Sequence, residues 1–472
     1  MNTFRMLADR LDGLPWSRFH TLVLVALGIG WLLDGFEVTI IGPILPRVAQ
    51  IFHLTVSQSV SIGSIFLGGA FLGALVFGSM ADRLGRRRLF LVTLTIYAVF
   101  TFLSGFAWSY AALLGFRFLT GLGIGGEYSA VNSAIDEFVP KRYRGRSDGL
   151  INTSWSLGSI LASVVALVVL NALPLMLGWR AAFFFGAVIA LVVLWIRRAV
   201  PESPRWLARH GHMREAQAIV AQVEQSAGVG AGPELAATDD VVRSEPWWDN
   251  VRELFRQYGS RLVLGMLLNI TEAAPYYGLL LILGVVVLPA YGVLAKQAPL
   301  YYLFGAFMAL FGAFAVTLAV DKWGRKGSVT AAYALTVVFA LLFTIPGHAI
   351  AQFLITYGGF SFFVSACGTA AFIVSSEIFP TDVRAMSIGI SVAAGRVGAF
   401  ALPLAFAAIY HALGMDALFV SIAIVAGIGL LAMVWWDIVG IEGRNRSLEE
   451  IADFRLGSGR KAAADSASSA LP

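Results

Sequence analysis

The feature that most constrains this chain is a series of twelve apolar runs, each about 20 residues long or longer. Such a run can cross the hydrocarbon core of a bilayer as a helix, because each residue rises ~1.5 Å and the core is about 30 Å thick. The runs lie at approximately 20–44, 57–80, 89–108, 110–136, 147–173, 179–198, 262–289, 298–320, 328–346, 349–378, 385–411 and 415–437. The sequence therefore predicts an all-α membrane protein with twelve transmembrane helices.

The composition excludes several other classes of protein. Charged residues make up 13% of the chain, against roughly 25% in soluble domains. The net charge of +5 does not indicate a nucleic-acid partner, because the basic residues lie in short loops between the runs. The single cysteine, Cys367, excludes an internal disulfide and any multi-cysteine metal site. With no nucleophile–base pair and no phosphate loop in the sequence, we expect no enzyme.

The basic residues predict the orientation in the membrane. With the N-terminus in the cytoplasm, only Arg47, Arg180 and Lys296 fall in outside loops, and Arg117 and Arg396 fall within runs. The other 29 of the 34 Lys and Arg residues then lie inside, as the positive-inside rule requires. We therefore expect a multi-pass protein of the inner membrane with both termini in the cytoplasm.

One long hydrophilic stretch divides the runs into two sets of six. The predicted domains are an N-terminal bundle at 1–198, a cytoplasmic linker at 199–260, a C-terminal bundle at 261–437 and a cytoplasmic tail at 438–472. The halves are related in sequence, since similar loop motifs recur after a nearly constant interval. The repeated acids are Asp82 and Asp321, Glu137 and Glu377, and Glu202 and Glu442, which lie 239, 240 and 240 positions apart.

Several motifs carry a family resemblance. The segment 78–87, Gly-Ser-Met-Ala-Asp-Arg-Leu-Gly-Arg-Arg, is similar to the signature loop between spans two and three of the major facilitator superfamily. Segments 201–207 and 442–451 resemble its sugar porters, whereas 34–37, 125–128 and 395–398 resemble its proton symporters for aromatic acids and other metabolites. The resemblance implies two pseudo-symmetric six-helix bundles with a substrate site at the midplane between them.

One departure concerns span seven. Sugar porters carry a paired glutamine motif there, and the corresponding stretch, 268–278, keeps two tyrosines but lacks the glutamines. This difference disfavours a hexose as the substrate.

Ionisable residues within the spans are the candidate functional groups. Such a residue costs several kcal/mol, so by default it faces the protein interior. Counted along the helices, Asp34, Arg117, Glu272 and Arg396 share a level ~17–20 Å from the cytoplasmic boundary. The resemblance implies that their spans line the central cavity.

We predict that Asp34 is the proton-coupling carboxylate and that Arg117 is its partner. A neighbouring Arg favours the ionised carboxylate, whereas desolvation disfavours it. Glu37 lies on the same helical face, where it relays protons or lines a wet vestibule. Glu127 lies ~15 Å nearer the cytoplasm than Arg117, which suits proton exit or a structural hydrogen bond. The alternative for Asp34 and Arg117 is a static pair joining two helices.

Arg396 is the main candidate for substrate binding. Its guanidinium can bind a carboxylate through two parallel hydrogen bonds, which predicts an organic anion. Pairing with Glu272 is the alternative, since burying either charge alone is costly. The further candidates, which offer aromatic surface or hydrogen-bonding groups, are Tyr276, Tyr277, Asn269 and Trp155.

The repeated loop motifs predict a cytoplasmic gate. Partly exposed ion pairs supply a few kcal/mol of bistability without locking the cycle. The predicted gate residues are Asp82, Arg86, Glu137, Arg144 and Glu202 in one half and Asp321, Arg325, Glu377, Arg384 and Glu442 in the other. The alternative is that the basic members only fix the topology.

These observations predict a secondary active transporter that moves a small organic carboxylate by proton symport and alternating access. We expect it to work as a monomer in the lipid bilayer, with the proton as coupling ion and no cofactor, metal or nucleic-acid partner. A sugar or polyol:proton symporter, an organic-cation transporter and a transporter-like receptor are the alternatives.

Overall fold

The computed structural model describes residues 3–198, 200–230, 232, 247–347, 349–379 and 381–440, without some of the side chains in these ranges. Within that part of the chain the regular elements are helices and no strand occurs. The α-helices are α1 (Thr3–Asp12), α2 (Arg18–Phe52), α3 (Val56–Leu84), α4 (Arg86–Ser104), α5 (Tyr110–Phe138), α6 (Arg144–Ala172), α7 (Leu175–Arg197), α8 (Pro204–Arg209), α9 (Met213–Ser226), α10 (Trp247–Ile282), α11 (Leu288–Ala290), α12 (Ala298–Trp323), α13 (Arg325–Leu342), α14 (Ile350–Glu377) and α15 (Thr381–Val439).

The long helices account for the twelve predicted spans. In the described part of the chain, ten helices are long and apolar enough to cross a membrane, and α5 adds the shorter apolar segment Tyr110–Gly126. The 59 residues of α15 hold two spans, because Gly414 has a φ of 86°, a left-handed value that breaks the helix between them. The prediction of an all-α membrane protein with twelve spans is confirmed.

The chain divides into two compact units, Met1–Ser244 with Val293–Leu303 and Glu245–Gly292 with Phe304–Pro472. In the first unit α2 packs against α6, and α4 packs against α5 and α7. In the second unit α10 packs against α15, and α13 packs against α14 and α15. The same pattern of neighbours thus recurs in both units. The first division falls inside the predicted linker at 199–260.

The internal repeat also recurs in backbone geometry. Gly85 precedes α4 with a φ of 85°, and Gly324 precedes α13 with a φ of 89°. These positive values favour glycine, which has no Cβ to clash. The two residues lie 239 positions apart, the same interval that relates Asp82 to Asp321.

Two basic side chains extend this repeat. Arg87 donates through Nη2 to the carbonyl oxygen of Arg198 at 3.1 Å, and Lys326 donates through Nζ to that of Asp437 at 2.8 Å. Both donors and both acceptors are again separated by 239 positions. Cations at the C-terminal end of a helix interact favourably with its dipole and its free carbonyls. The start of one span is therefore bonded to the end of another in each half.

Three short helices form an apolar cluster next to the first unit's spans. Leu7 and Leu11 of α1 are buried against Met213 and Val220 of α9, together with residues of α8. We call these helices the α1–α9 cluster. Its presence was not predicted, since the sequence marked 199–260 only as a linker.

A bidentate ion pair joins α1 to α9 within the α1–α9 cluster. Arg10 donates to the Glu224 carboxylate through Nε at 2.9 Å and through Nη2 at 2.7 Å. The hydrogen bond from Arg10 holds the pKa of Glu224 below its usual value of 4.5, with a smaller contribution from the backbone N–H of Gly232. The N-terminal helix is thus fixed to a segment that follows the sixth span.

Candidate functional site

Three ionisable residues lie together inside the first unit. Asp34 and Glu37 on α2 and Arg117 on α5 have no solvent-exposed surface. Arg117 forms an ion pair with Glu37 through Nη1, and its Nη2 donates to the Glu37 carbonyl oxygen at 3.4 Å. The carboxylate also accepts from the hydroxyls of Tyr97 and Thr101 on α4, both at 3.3 Å. Three donors from two helices thus surround Glu37.

The groups around this pair are aromatic or small. The Arg117 guanidinium carbon lies 4.3 Å from the centre of the Phe66 ring on α3 and 5.2 Å from that of Phe183 on α7. On α7, Gly186 packs so close that a Cβ there would lie 3.0 Å from Glu37 Oε2. Five helices, α2 to α5 and α7, therefore enclose the ion pair.

The pairing differs from the one expected. We predicted that Arg117 pairs with Asp34, and in the structure it pairs with Glu37, three residues further along α2. The two acids share a helical face, and α5 meets α2 about one turn beyond Asp34, at the level where α4 supplies two hydroxyl groups. With two acids and one base, the fully ionised set carries a net charge of −1.

Trp155 on α6 lies beside the same stretch of α2. Gly35 packs directly on the backbone of Trp155, and the Trp155 ring lies 6.2 Å from that of Trp31. Its side chain is partly exposed. Trp155 therefore borders the residue next to Asp34, while the other predicted substrate residues lie in the second unit.

In the second unit the candidate residues gather on α10 and α15. Arg396 on α15 donates through Nη1 to the hydroxyl of Tyr277 on α10 at 3.3 Å. The Tyr276 ring meets that of Tyr277 edge-on, with centres 5.1 Å apart. Glu272 lies one to two turns before Tyr277 on α10. Arg396 and Glu272 are both partly exposed.

Glycines allow α15 to approach α10 at this point. A Cβ at Gly395 would lie 3.0 Å from the Asn269 carbonyl oxygen, and one at Gly398 would lie 3.0 Å from Ile270 Cγ2. The amide of Asn269 donates to the carbonyl oxygen of Gly265 on its own helix at 2.8 Å. The segment 395–398 therefore positions Arg396 through close helix packing.

The structure describes the side chains of only some of the predicted gate residues. Glu202 accepts hydrogen bonds from the backbone N–H of Arg87 at 3.1 and 3.3 Å, so its charge caps the N-terminus of α4. Arg325 donates to the Val320 carbonyl oxygen at 3.5 Å. The side chain of Glu127 lies outside the described part of the structure. The same holds for the other gate candidates, which are Asp82, Arg86, Glu137, Arg144, Asp321, Glu377, Arg384 and Glu442.

Several residues of these sites were not predicted from the sequence. Tyr97 and Thr101 lie one turn apart in the third span, and two hydroxyls at that spacing were the available signal. Arg87 and Lys326 belong to the repeated loop, so the repeat itself could have identified them. Tyr333 and Cys367, which lie near Glu272, carry no such pattern.

Comparison with known proteins identifies the family. The profile of the family described as "Sugar (and other) transporter" matches residues 22–454. The niacin transporter of Acinetobacter baylyi is 31% identical over 84% of this chain and 89% of its own length. An inner membrane metabolite transport protein of Escherichia coli is 30% identical over 83% and 85%.

Solved structures agree on the fold. The inward-open xylose transporter of E. coli superposes with a TM-score of 0.70 at 19% identity, over 91% of this chain and 98% of that one. A sequence identity of 19% supports the same fold but carries no information about the substrate. The family match covers most of the chain and the fold agrees with it. The chain therefore belongs to the sugar (and other) transporter family of the major facilitator superfamily, whose members carry small molecules across membranes.

Proposed function

We propose that this transporter couples the movement of a small organic carboxylate to the movement of protons by alternating access. The observation that carries the proposal is the buried set of Asp34, Glu37 and Arg117, which has one acid more than it has bases. A net charge inside a membrane span is costly, so uptake of one proton that neutralises the set is favoured. Such a set is a proton-binding site.

The partners of Glu37 support Asp34 as the residue that takes the proton. A carboxylate that accepts hydrogen bonds in its charged form is held in that form. Glu37 is ion-paired with Arg117 and accepts from Tyr97 and Thr101, whereas Asp34 is the other acid of the buried set. The Arg117–Glu37 pair, in which the two charges balance, lies one turn away. Glu127 is proposed as the exit for the proton.

Arg396 supports a carboxylate as the substrate. Tyr277 orients the guanidinium, which is partly exposed and suited to bidentate binding. The similar protein from A. baylyi is named a niacin transporter, and niacin is an aromatic carboxylic acid. We propose a carboxylate of this size, in contact with Tyr276 and Tyr277.

The orientation and assembly are part of the proposal. The distribution of Lys and Arg supports an inner-membrane location with cytoplasmic termini. We propose that one chain is the working unit and that the proton is its coupling ion, without a cofactor. The gate residues, of which Glu202 caps α4, are proposed to hold the state closed to the cytoplasm.

The test is uptake by purified protein in proteoliposomes. With a pH gradient, acid outside, wild type should accumulate labelled nicotinate, and a protonophore should abolish the accumulation. Asp34→Asn should lose accumulation while it keeps exchange of internal for external substrate, since exchange needs no net proton movement. Full gradient-driven accumulation by Asp34→Asn would refute the role of Asp34.

A second measurement concerns the substrate. Arg396→Lys keeps the positive charge and loses the fork that binds a carboxylate through two bonds, so the KM for nicotinate should rise about tenfold or more. Unchanged uptake would refute the carboxylate proposal. Uptake of xylose or a polyol by the same vesicles would instead favour the sugar-porter alternative.

A further inference from the structure

The helix α10 is longer than a membrane span requires. It has 36 residues, which at ~1.5 Å per residue span ~54 Å, against a hydrocarbon core of about 30 Å. The apolar run that forms span seven begins at about residue 262. The backbone of α10 bends at Tyr258, where φ is −123° and ψ is 21°. Residues 247–257, which we call the α10 entry segment, therefore precede both the bend and the hydrocarbon core.

One side of the entry segment is fixed to the end of span ten. Leu254 is buried in the apolar cluster that contains Ile378 and Phe379, and Tyr258 packs against the same cluster. Arg261 follows and donates through Nη1 to the carbonyl oxygen of Ile378 at 2.7 Å. Span ten ends at Ile378, so these contacts hold the entry segment near the level at which the hydrocarbon core ends.

The outward side of the entry segment carries two arginines and an aromatic ring. Arg252, Phe255 and Arg256 are exposed, and their spacing of three and four residues makes them neighbours on the helix surface. Neither arginine forms a hydrogen bond or ion pair with a side chain that the structure describes. A helical rotation of ~100° per residue places the positions of Asp249 and Glu253 beyond the arginines, away from Phe255. The arginines therefore separate an aromatic edge from an acidic one.

This order of residues is typical of a helix at a membrane surface. Such a helix places its apolar edge at the boundary of headgroups and acyl chains, with basic residues beside it. Phe255 is 45% exposed, and the segment begins with Trp247 and Trp248, a residue type enriched at membrane–water interfaces. Val263, seven residues after Arg256 and inside span seven, is 49% exposed. The outward side of the entry segment thus leads onto an exposed apolar part of the span.

The height of the arginines above the hydrocarbon core matches the headgroup layer. That layer is ~5–8 Å thick on each side of a bilayer. Along a straight helix Arg256 and Arg252 would lie ~9 and ~15 Å before residue 262, and the bend at Tyr258 reduces both heights. A guanidinium binds phosphate oxygens through parallel hydrogen bonds. We propose that the entry segment binds anionic phospholipids, with Arg252 and Arg256 on the headgroup phosphates and Phe255 at the acyl boundary.

The test places a fluorophore beside the entry segment. Bimane on Ser260→Cys, an exposed position one turn after Arg256, reports the lipids around it. The native Cys367 is buried, so the unsubstituted protein gives the background. The full-length protein is studied in phosphatidylcholine nanodiscs that contain phosphatidylglycerol or phosphatidylcholine with a nitroxide near the top of one acyl chain. The phosphatidylglycerol should quench more strongly, and added salt should reduce the difference because it screens exposed charges.

Variants in this background assign the preference to the named residues. Arg252→Gln and Arg256→Gln should each reduce the preference for phosphatidylglycerol about fivefold, which is the contribution of one basic residue near an anionic surface. Arg252→Lys and Arg256→Lys keep the charge and should keep most of the preference. Phe255→Ser should reduce quenching by both lipids alike. Arg214→Gln, at an exposed position on α9, is the matched control and should change nothing.

Three outcomes would overturn the proposal. The first is equal quenching by the two lipids when both arginines are present. The second is a preference for phosphatidylglycerol that survives the loss of both arginines. The third is a fluorophore that neither lipid quenches, which would place the segment in water and leave Phe255 to be covered by a protein partner. Thermal unfolding shows whether each variant is folded, and the effect of salt tests the charges without any change to the arginines.

Discussion

Arg117 in the first unit and Arg396 in the second each lie in an apolar span near a glutamate, but their surroundings differ. Arg117 is fully buried and ion-paired with Glu37, which accepts two further hydrogen bonds. Arg396 is partly exposed and donates to the hydroxyl of Tyr277. The first arrangement is closed to solvent, whereas the second is open to it. The comparison separates the fully buried countercharge of Glu37 from the partly exposed guanidinium that we propose as the substrate-binding group.

The largest expected effect is the loss of stability on removing Arg117, and Arg396 provides the contrast. Arg117→Gln leaves the Glu37 carboxylate buried without its countercharge, which should lower the free energy of unfolding by about 3–5 kcal/mol. Arg396→Gln should lower it by less than about 1 kcal/mol, because the group is partly exposed. Equilibrium unfolding in detergent measures both.

Arg214→Gln, an exposed position on α9, controls for loss of a charge alone. Equal losses of stability in Arg117→Gln and Arg396→Gln would erase the distinction between the two regions.

The glycines beside the two glutamates give the next contrast. Gly186→Ala adds a methyl group against Glu37, which is held by three donors and cannot turn away, so we expect a loss of about 2 kcal/mol. Gly368→Ala presses on Glu272, whose partly exposed side chain can rotate, and should cost less than about 1 kcal/mol. The free energies of unfolding of the two variants, each compared with wild type, measure this difference. A larger loss in Gly368→Ala would show that Glu272 is the more constrained of the two.

The hydroxyl groups of Tyr97 and Tyr277 provide a third contrast between the two regions. Tyr97→Phe removes a donor to the buried Glu37 carboxylate and should cost about 1.5 kcal/mol of stability. Tyr277→Phe removes an acceptor from Arg396 and should instead raise the KM for the substrate with little change in stability. Paired unfolding and uptake measurements on both variants test this division. A change in KM without a loss of stability in Tyr97→Phe would contradict this division of roles.

The smallest effect is expected outside the spans, at Arg10 and Glu224. The pKa of Glu224 is lowered in the folded protein, so its contribution to stability is present above the usual pKa of 4.5 and is lost as the pH falls through the folded value. Glu224→Gln should therefore cost about 0.5–1 kcal/mol at pH 7. Below pH 4.5 the difference from wild type should shrink.

Unfolding free energies of both proteins across this pH range provide the measurement. A difference that is independent of pH would show that the charge of Glu224 is not what stabilises the α1–α9 cluster.

The membrane spans and the internal repeat could be predicted from the sequence. Apolar length is a direct physical requirement of the bilayer, so the twelve runs translate into helices without knowledge of tertiary contacts. The interval of 239 positions holds for loop motifs in the sequence and for the backbone at Gly85 and Gly324. The ionisable residues were also identified correctly as buried in the case of Asp34, Glu37 and Arg117.

The partners of those residues could not be predicted in the same way. Asp34 and Glu37 lie one helical turn apart on one face, and a depth counted from loop boundaries is uncertain by about that much. Which acid meets Arg117 depends on where α4 places Tyr97 and Thr101, which is a tertiary property. The same holds for the α1–α9 cluster, because Arg10 and Glu224 are 214 positions apart.

That separation has a consequence for biosynthesis. The helix α1 is synthesised before the six spans of the first unit, yet its partner α9 is synthesised only after the sixth span. Throughout that interval Leu7 and Leu11 lack the apolar surface that covers them in the finished protein. Docking of α1 therefore marks the completion of the first six spans, and a nascent chain arrested before residue 213 should still expose α1 to protease.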